Sequence, residues 1–185
     1  MTEATSASVH ASAVLVGNRA VLIRGPSGAG KSRLAFDLIL AGRSGQVPKA
    51  VLVGDDRVHL DTHDGEIVVR PARELAGLIE IRGLGIRRCE FADAAIVGLV
   101  VDLCAADAER LPPPETLLAR IFGVKIPRIP VGEGYAALPL VVAALTTTGS
   151  SNSTQPSTNC LEGIGNHMRH TIATEKTDAG PPSTR

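Results

Sequence analysis

Residues 25 to 32 read Gly-Pro-Ser-Gly-Ala-Gly-Lys-Ser. Gly25, Gly30, Lys31 and Ser32 stand at the spacing of a phosphate-binding loop of the Walker A kind, with Pro26, Ser27, Gly28 and Ala29 completing it. The chemistry needs this composition. Glycines let successive backbone N–H groups turn inward on phosphate oxygens, and a helix leaving the loop adds partial positive charge at its N-terminus. Lys31 would bridge the outer phosphates of a nucleotide, and Ser32 would ligate a magnesium ion. The flanks agree with this reading. Ala20 to Arg24 reads as a strand entering the loop, and Ser32 to Ala41 as the helix leaving it, with Leu34, Ala35, Leu38, Ile39 and Ala41 on one buried face.

Two further groups carry reactive side chains. Asp55 and Asp56 close an apolar strand, Ala50 to Val53, that follows the loop. In nucleotide-binding α/β folds the carboxyl ends of strands gather around the ligand. A carboxylate there can take a proton from an attacking hydroxyl or orient a metal. Adjacent carboxylates on extended chain face opposite sides, so the pair is expected to divide its work. Gly-Asp-Asp is also good solvated-turn sequence. The second group is Leu78 to Ile86, in which Glu80 and Arg82 sit among apolar residues ahead of Gly83 and Gly85. On an extended strand residues two apart share a face. Two readings fit: a structural ion pair, or a magnesium ligand beside a phosphate clamp.

The elements that must hold these groups are short. Ser12 to Val16 turns at Gly17-Asn18 into Ala20 to Arg24, and Val58 to Leu60 turns at Asp64-Gly65 into Ile67 to Arg70, both as hairpins. Ala94 to Leu103 is nearly continuous apolar sequence and reads as a central strand. Leu111 to Glu115 is a stiff proline connector, Val124 to Pro130 a short strand, and Leu138 to Leu145 a final helix or strand. Hairpins mixed with one strand–helix crossover imply an α/β domain on a mixed β-sheet with few helices.

Composition narrows the class. Of 185 residues 44% are hydrophobic but only 2% aromatic, so the core is aliphatic. Formal net charge is zero, which speaks against the basic face of a nucleic-acid binder. No apolar run reaches membrane-spanning length, and Met1 to Val9 does not read as a secretory leader. Cys89, Cys104 and Cys160 suggest neither a disulfide framework nor a zinc site, consistent with a cytoplasmic setting. From Thr146 the chain turns polar, so a domain over residues 8–145 and a disordered tail over 146–185 are expected. The tail's His167 and His170, and the Asn152-Ser-Thr triplet, are read as inert.

Taken together, these residues resemble the catalytic domain of HPr kinase/phosphorylase, which phosphorylates a serine of the phosphocarrier protein HPr. Glu80-Ile-Arg-Gly-Leu-Gly-Ile86 reproduces the family's hallmark intact. A histidine ahead of the first hairpin (His10), the phosphate loop and the Asp55-Asp56 pair follow the family's order, over roughly residues 8 to 145. The resemblance implies an ATP- and Mg2+-dependent serine kinase acting on HPr or an HPr-like carrier. It implies His10 as an active-site histidine, Lys31 on the phosphates and Ser32 and Glu80 as magnesium ligands. It places Arg82 on the nucleotide, and Asp55 as the proton acceptor with Asp56 close behind. Arg110, in an Arg-Leu context, matches a family arginine by position.

The chain departs from the long family members in three places. Its catalytic domain starts at once, like the short form of alphaproteobacteria. The stretch Pro130 to Ala136 reads Pro-Val-Gly-Glu-Gly-Tyr-Ala where the long form has Pro-Val-Arg-Pro-Gly-Arg-Asn. Loss of both arginines predicts weak phosphorylase activity. The polar tail stands where the family has helices that contact HPr and neighbouring subunits, so the family's homo-hexamer is not implied with the same force. Two rival functions fit the loop alone: a small-molecule kinase, and a nucleotide-binding regulatory module without turnover.

Overall fold

The computed structural model describes residues 6–148. Among the described residues eleven strands and two α-helices follow one another: β1 (Ser6–Val9), β2 (Ser12–Val16), β3 (Arg19–Arg24), α1 (Lys31–Arg43), β4 (Ala50–Gly54), β5 (Val58–His63), β6 (Glu66–Pro71), β7 (Leu78–Ile81), β8 (Gly85–Arg88), β9 (Ala95–Leu103), β10 (Leu118–Ile121), β11 (Val124–Val131) and α2 (Ala137–Thr146). Single 3-10 turns cover Arg73–Leu75 and Pro114–Leu117.

Nine strands form one sheet in the order β1-β5-β6-β9-β3-β2-β4, with β11 joined to β9 and β10 to β11. β9 runs parallel to β3 and to β11, and the other neighbours are antiparallel. The sheet is mixed, as the hairpin pattern demanded. The length and apolarity of β9 follow from its place: it is flanked along its length and covered on both faces.

Alternation along the strands divides the core in two. Val14, Val21, Ile23, Leu52, Leu99 and Val101 pack under α1 and α2 with Leu34, Leu38, Val141 and Leu145. On the other face Leu22, Val53 and Val100 meet Val58, Leu60, Ile67 and Val69 of the β5–β6 hairpin, with Ala119, Ile121 and Ile126 from β10 and β11. The phosphate-loop strand β3 therefore sits mid-sheet, clamped from both sides.

Some features differ from the sequence reading, and one choice it left open is resolved. β1 went unseen because its alternation is carried by serines on a largely exposed edge, where no apolar stripe forms. β10 was likewise missed. The segment Leu78–Ile86 is not one extended strand: a turn at Arg82–Leu84, closed by the Leu84 N–H on the Ile81 carbonyl at 2.9 Å, folds it into the β7–β8 hairpin. That hairpin is a separate two-stranded sheet. The ambiguous segment near Leu138 is a helix, α2, and the first helix runs on to Arg43. Of the expected tail, residues 149–185 lie outside the described residues, as do Asn152, Cys160, His167 and His170.

Candidate active site

The loop between β3 and α1 is shaped by glycine. Gly25 has φ 146°, and a Cβ placed there would stand 2.9 Å from the Leu103 carbonyl oxygen of β9. Gly30 caps α1 in a left-handed conformation, φ 94°, with no side chain bonding the first turn. The amides at the start of α1 thus lack a side-chain cap, leaving donors for an anion. Lys31 is buried at 6% exposure, and its Nζ donates to the carbonyls of Gly25 and Pro26, each at 3.0 Å. Its side chain is folded over the loop, where phosphate oxygens would replace those carbonyls as partners.

A cavity of about 790 Å³ opens over the loop. Residues 27 to 33 line one wall, with Phe36 and Asp37 from the second turn of α1. His10 and Asp56 line another, and Glu80, Ile81 and Arg82 of the β7–β8 hairpin complete it. His10, Ser27 to Ser32, Asp56, Glu80 and Arg82, far apart in the chain, are thus brought together. Arg82 reaches the cavity from the turn after β7, so the argument that placed it on Glu80's face of a strand is corrected.

The two aspartates separate sharply. Asp55 is 2% exposed, and both its oxygens are engaged. Oδ1 accepts from the Ser12 hydroxyl at 2.5 Å, and Oδ2 accepts from the Glu80 N–H at 3.0 Å. Asp56 has φ 64°, a left-handed conformation that Asp tolerates better than most residues. That turn swings its exposed carboxylate to the cavity, 3.3 Å from His10 Nε2. Burial thus seals off Asp55, the carboxylate expected from sequence to take the proton, and leaves Asp56 open to the cavity. Arg110 does not line the cavity; it lies on the segment between β9 and Pro114. The Pro130 to Ala136 stretch is also absent from the lining.

Sequence reasoning missed a polar cluster at the carboxyl ends of the central strands. Arg24, the residue before the loop, donates from Nε and Nη2 to the two oxygens of Asp102, each at 2.7 Å. Arg128 Nε donates to Asp102 at 2.5 Å, and its Nη atoms reach both oxygens of Asp107. Burial pushes the Asp102 carboxyl up, but hydrogen bonds and charge from Arg24 and Arg128 outweigh it and hold the group below the usual carboxylate range. A carboxylate ending an apolar strand was a visible signal for this cluster. Ser12, a hydroxyl among apolar residues of β2, was likewise a signal for its own partner, Asp55.

The residues fit a nucleotide with a hard cation. Ser32 and Glu80, both with oxygen atoms suited to a hard cation, line the same cavity. Among the described residues no cluster of three or more His, Cys, Asp or Glu side chains could hold a metal alone. Magnesium bound through one or two side chains together with phosphates needs no such cluster.

Comparisons with known proteins agree with the fold. The family described as HPr Serine kinase C-terminal domain matches residues 2–162. An HPr kinase/phosphorylase of Mycoplasma mycoides is 30% identical over 164 residues, covering 81% of this chain and 50% of that protein. One from Geobacillus thermodenitrificans is 36% identical over 155 residues, covering 76% and 48%. The chain thus spans about half the length of these relatives. The solved structure of the Hpr(Ser) kinase/phosphatase from Coxiella burnetii superposes with a TM-score of 0.60 at 26% identity, over 75% of this chain and 93% of the other. With its mixed sheet, its few helices and a match over most of its length, the chain belongs to the HPr serine kinase C-terminal domain family.

Proposed function

We propose that this chain is an ATP- and Mg2+-dependent protein serine kinase acting on HPr or an HPr-like phosphocarrier in the cytoplasm. The observation that carries the reading is the convergence of the Gly25–Ser32 loop, Asp56 with His10, and the hallmark residues Glu80 and Arg82 on one cavity. Names borne by relatives supply the acceptor class.

The loop amides and Lys31 hold the outer phosphates of ATP, and Arg82 opposes the charge that grows on the transferring phosphoryl group. Ser32 and Glu80 are the residues that would hold magnesium, which when bound neutralises phosphate charge. Asp56 accepts the proton of the attacking serine hydroxyl as the new P–O bond forms, a task for which an accessible carboxylate on the cavity wall is placed. His10 orients that carboxylate through their contact. The products are phosphoserine, ADP and a proton.

Incubation of the purified chain with labelled ATP, Mg2+ and HPr tests the proposal. Label on a single HPr serine is expected. ATP binding without any label on HPr refutes the acceptor, and transfer to a metabolite alone would place the chain among small-molecule kinases.

A further inference from the structure

Ser12 is a costly residue where it stands. It is fully buried on β2, between Ala11 and Ala13, in a strand whose other members are apolar. A buried hydroxyl is disfavoured unless it is hydrogen-bonded, and a buried carboxylate far more so. Here each answers the other. The Ser12 hydroxyl donates to Asp55 Oδ1 at 2.5 Å, and Asp55 Oδ2 is left facing the Glu80 N–H at 3.0 Å.

The second bond has a special place in the topology. Glu80 belongs to the β7–β8 pair, which forms its own sheet apart from the nine-stranded one. Its backbone N–H is tied to the end of β4 at the residue whose side chain faces the cavity. Asp55 is thus a bracket, fixed at one end by Ser12 and holding Glu80 at the other.

We infer that Ser12 is a positioning residue for Glu80, acting through Asp55. Without the hydroxyl, Asp55 Oδ1 loses its donor in a dry site, and the carboxylate must rotate or admit water. Either movement releases the Glu80 amide and loosens the side chain beside it. The consequence for metal binding rests on the reading of Glu80 as a magnesium ligand.

Two measurements on the whole chain test this, and neither requires turnover. The first is hydrogen exchange of the Glu80 amide by NMR. Ser12→Ala should speed it roughly ten-fold relative to the β7–β8 ladder amides, the scale of one hydrogen bond to a charged group. The second is ATP binding followed by calorimetry as Mg2+ is varied. Ser12→Ala should raise the half-saturating Mg2+ by a similar factor. Asp55→Asn is the control that separates positioning from mere packing. Its Nδ2 can donate to the Ser12 oxygen while its Oδ1 still accepts from Glu80, so both readouts should stay near wild type. Uniform acceleration of all hairpin amides in Ser12→Ala, with unchanged Mg2+ dependence, overturns the inference. If Glu80 exchange changes as expected but wild-type ATP binding ignores Mg2+, the positioning role stands and the metal reading of Glu80 fails.

Discussion

Arg24 and Asp102 lie opposite each other on the parallel strands β3 and β9, and the guanidinium meets both carboxylate oxygens at 2.7 Å. The next residue after Arg24 is Gly25, where the phosphate loop begins. The planar two-point contact fixes direction as well as distance, which a single charge contact cannot do. Arg128 from within β11 completes the cluster, so three strands are stapled together beside the loop.

Asp102→Asn is expected to lower stability at neutral pH by about 2–3 kcal/mol, between the values for exposed and for buried pairs. The pH dependence has a definite sign. Because the folded carboxyl titrates below the usual range, its contribution is full above the unfolded value of about 4 and is lost as pH falls through the folded one. Urea unfolding from pH 7 down to pH 3 should show wild type losing stability faster than the variant. Parallel curves would remove Asp102 from the account.

The division between the paired aspartates makes a sharper claim. Asp56→Asn should cut phosphoryl transfer by about 10² to 10⁴-fold while ATP still binds, the range for loss of a positioned base. Asp55→Asn should retain far more activity, because an amide can satisfy both of its hydrogen bonds. Rates measured side by side decide it. An Asp55→Asn enzyme as dead as Asp56→Asn would return the base to Asp55.

Gly25→Ala and Gly28→Ala should differ although both residues have positive φ. At Gly25 the new Cβ would press on the Leu103 carbonyl of the neighbouring strand, whereas at Gly28 nothing stands within 4 Å. Strain alone at Gly28 predicts a loss of about 1 kcal/mol. Gly25→Ala should lose at least about 2–3 kcal/mol and its ATP binding, because strand and loop must both shift. Thermal melts with and without ATP check the contrast.

The stretch Gly132-Glu133-Gly134-Tyr135 carries no cation where the long form has two arginines. Phosphorylated HPr mixed with inorganic phosphate should therefore release little pyrophosphate. Rapid release, assayed enzymatically, would show that these arginines are dispensable here.

The strand, glycine loop and helix from Arg19 to Arg43 were legible because local rules set them: glycine geometry, apolar periodicity and a helix start coincide over this span. The hairpins at Gly17 and Asp64 were legible for the same reason. The β7–β8 turn was not read, although the glycines at 83 and 85, both with positive φ, and the break in alternation between Ile81 and Leu84 marked it. The fate of Asp55 and Asp56 was hidden. Which of two neighbours is buried depends on Ser12, 43 residues away from Asp55, and on a left-handed backbone at Asp56 that no residue type announces. In the Arg24–Asp102–Arg128 cluster Arg24 bonds Asp102 across 78 positions of sequence, beyond the reach of periodicity.

The separation of β7 and β8 from the main sheet has a consequence for how the cavity keeps its width. One wall is the glycine loop and the start of α1, anchored where β3 ends in the main sheet. The opposite wall, which carries Glu80 and Arg82, is held by Asp55 and by packing of Ile79, 2% exposed, into the core under α1. Core volume therefore works as a gauge for the active site. Trimming Ile79 by one methylene to Val is expected to cost about 1 kcal/mol of stability, and also to raise the Mg2+ needed for ATP binding. A stability loss with unchanged Mg2+ dependence would show that the gauge is set elsewhere.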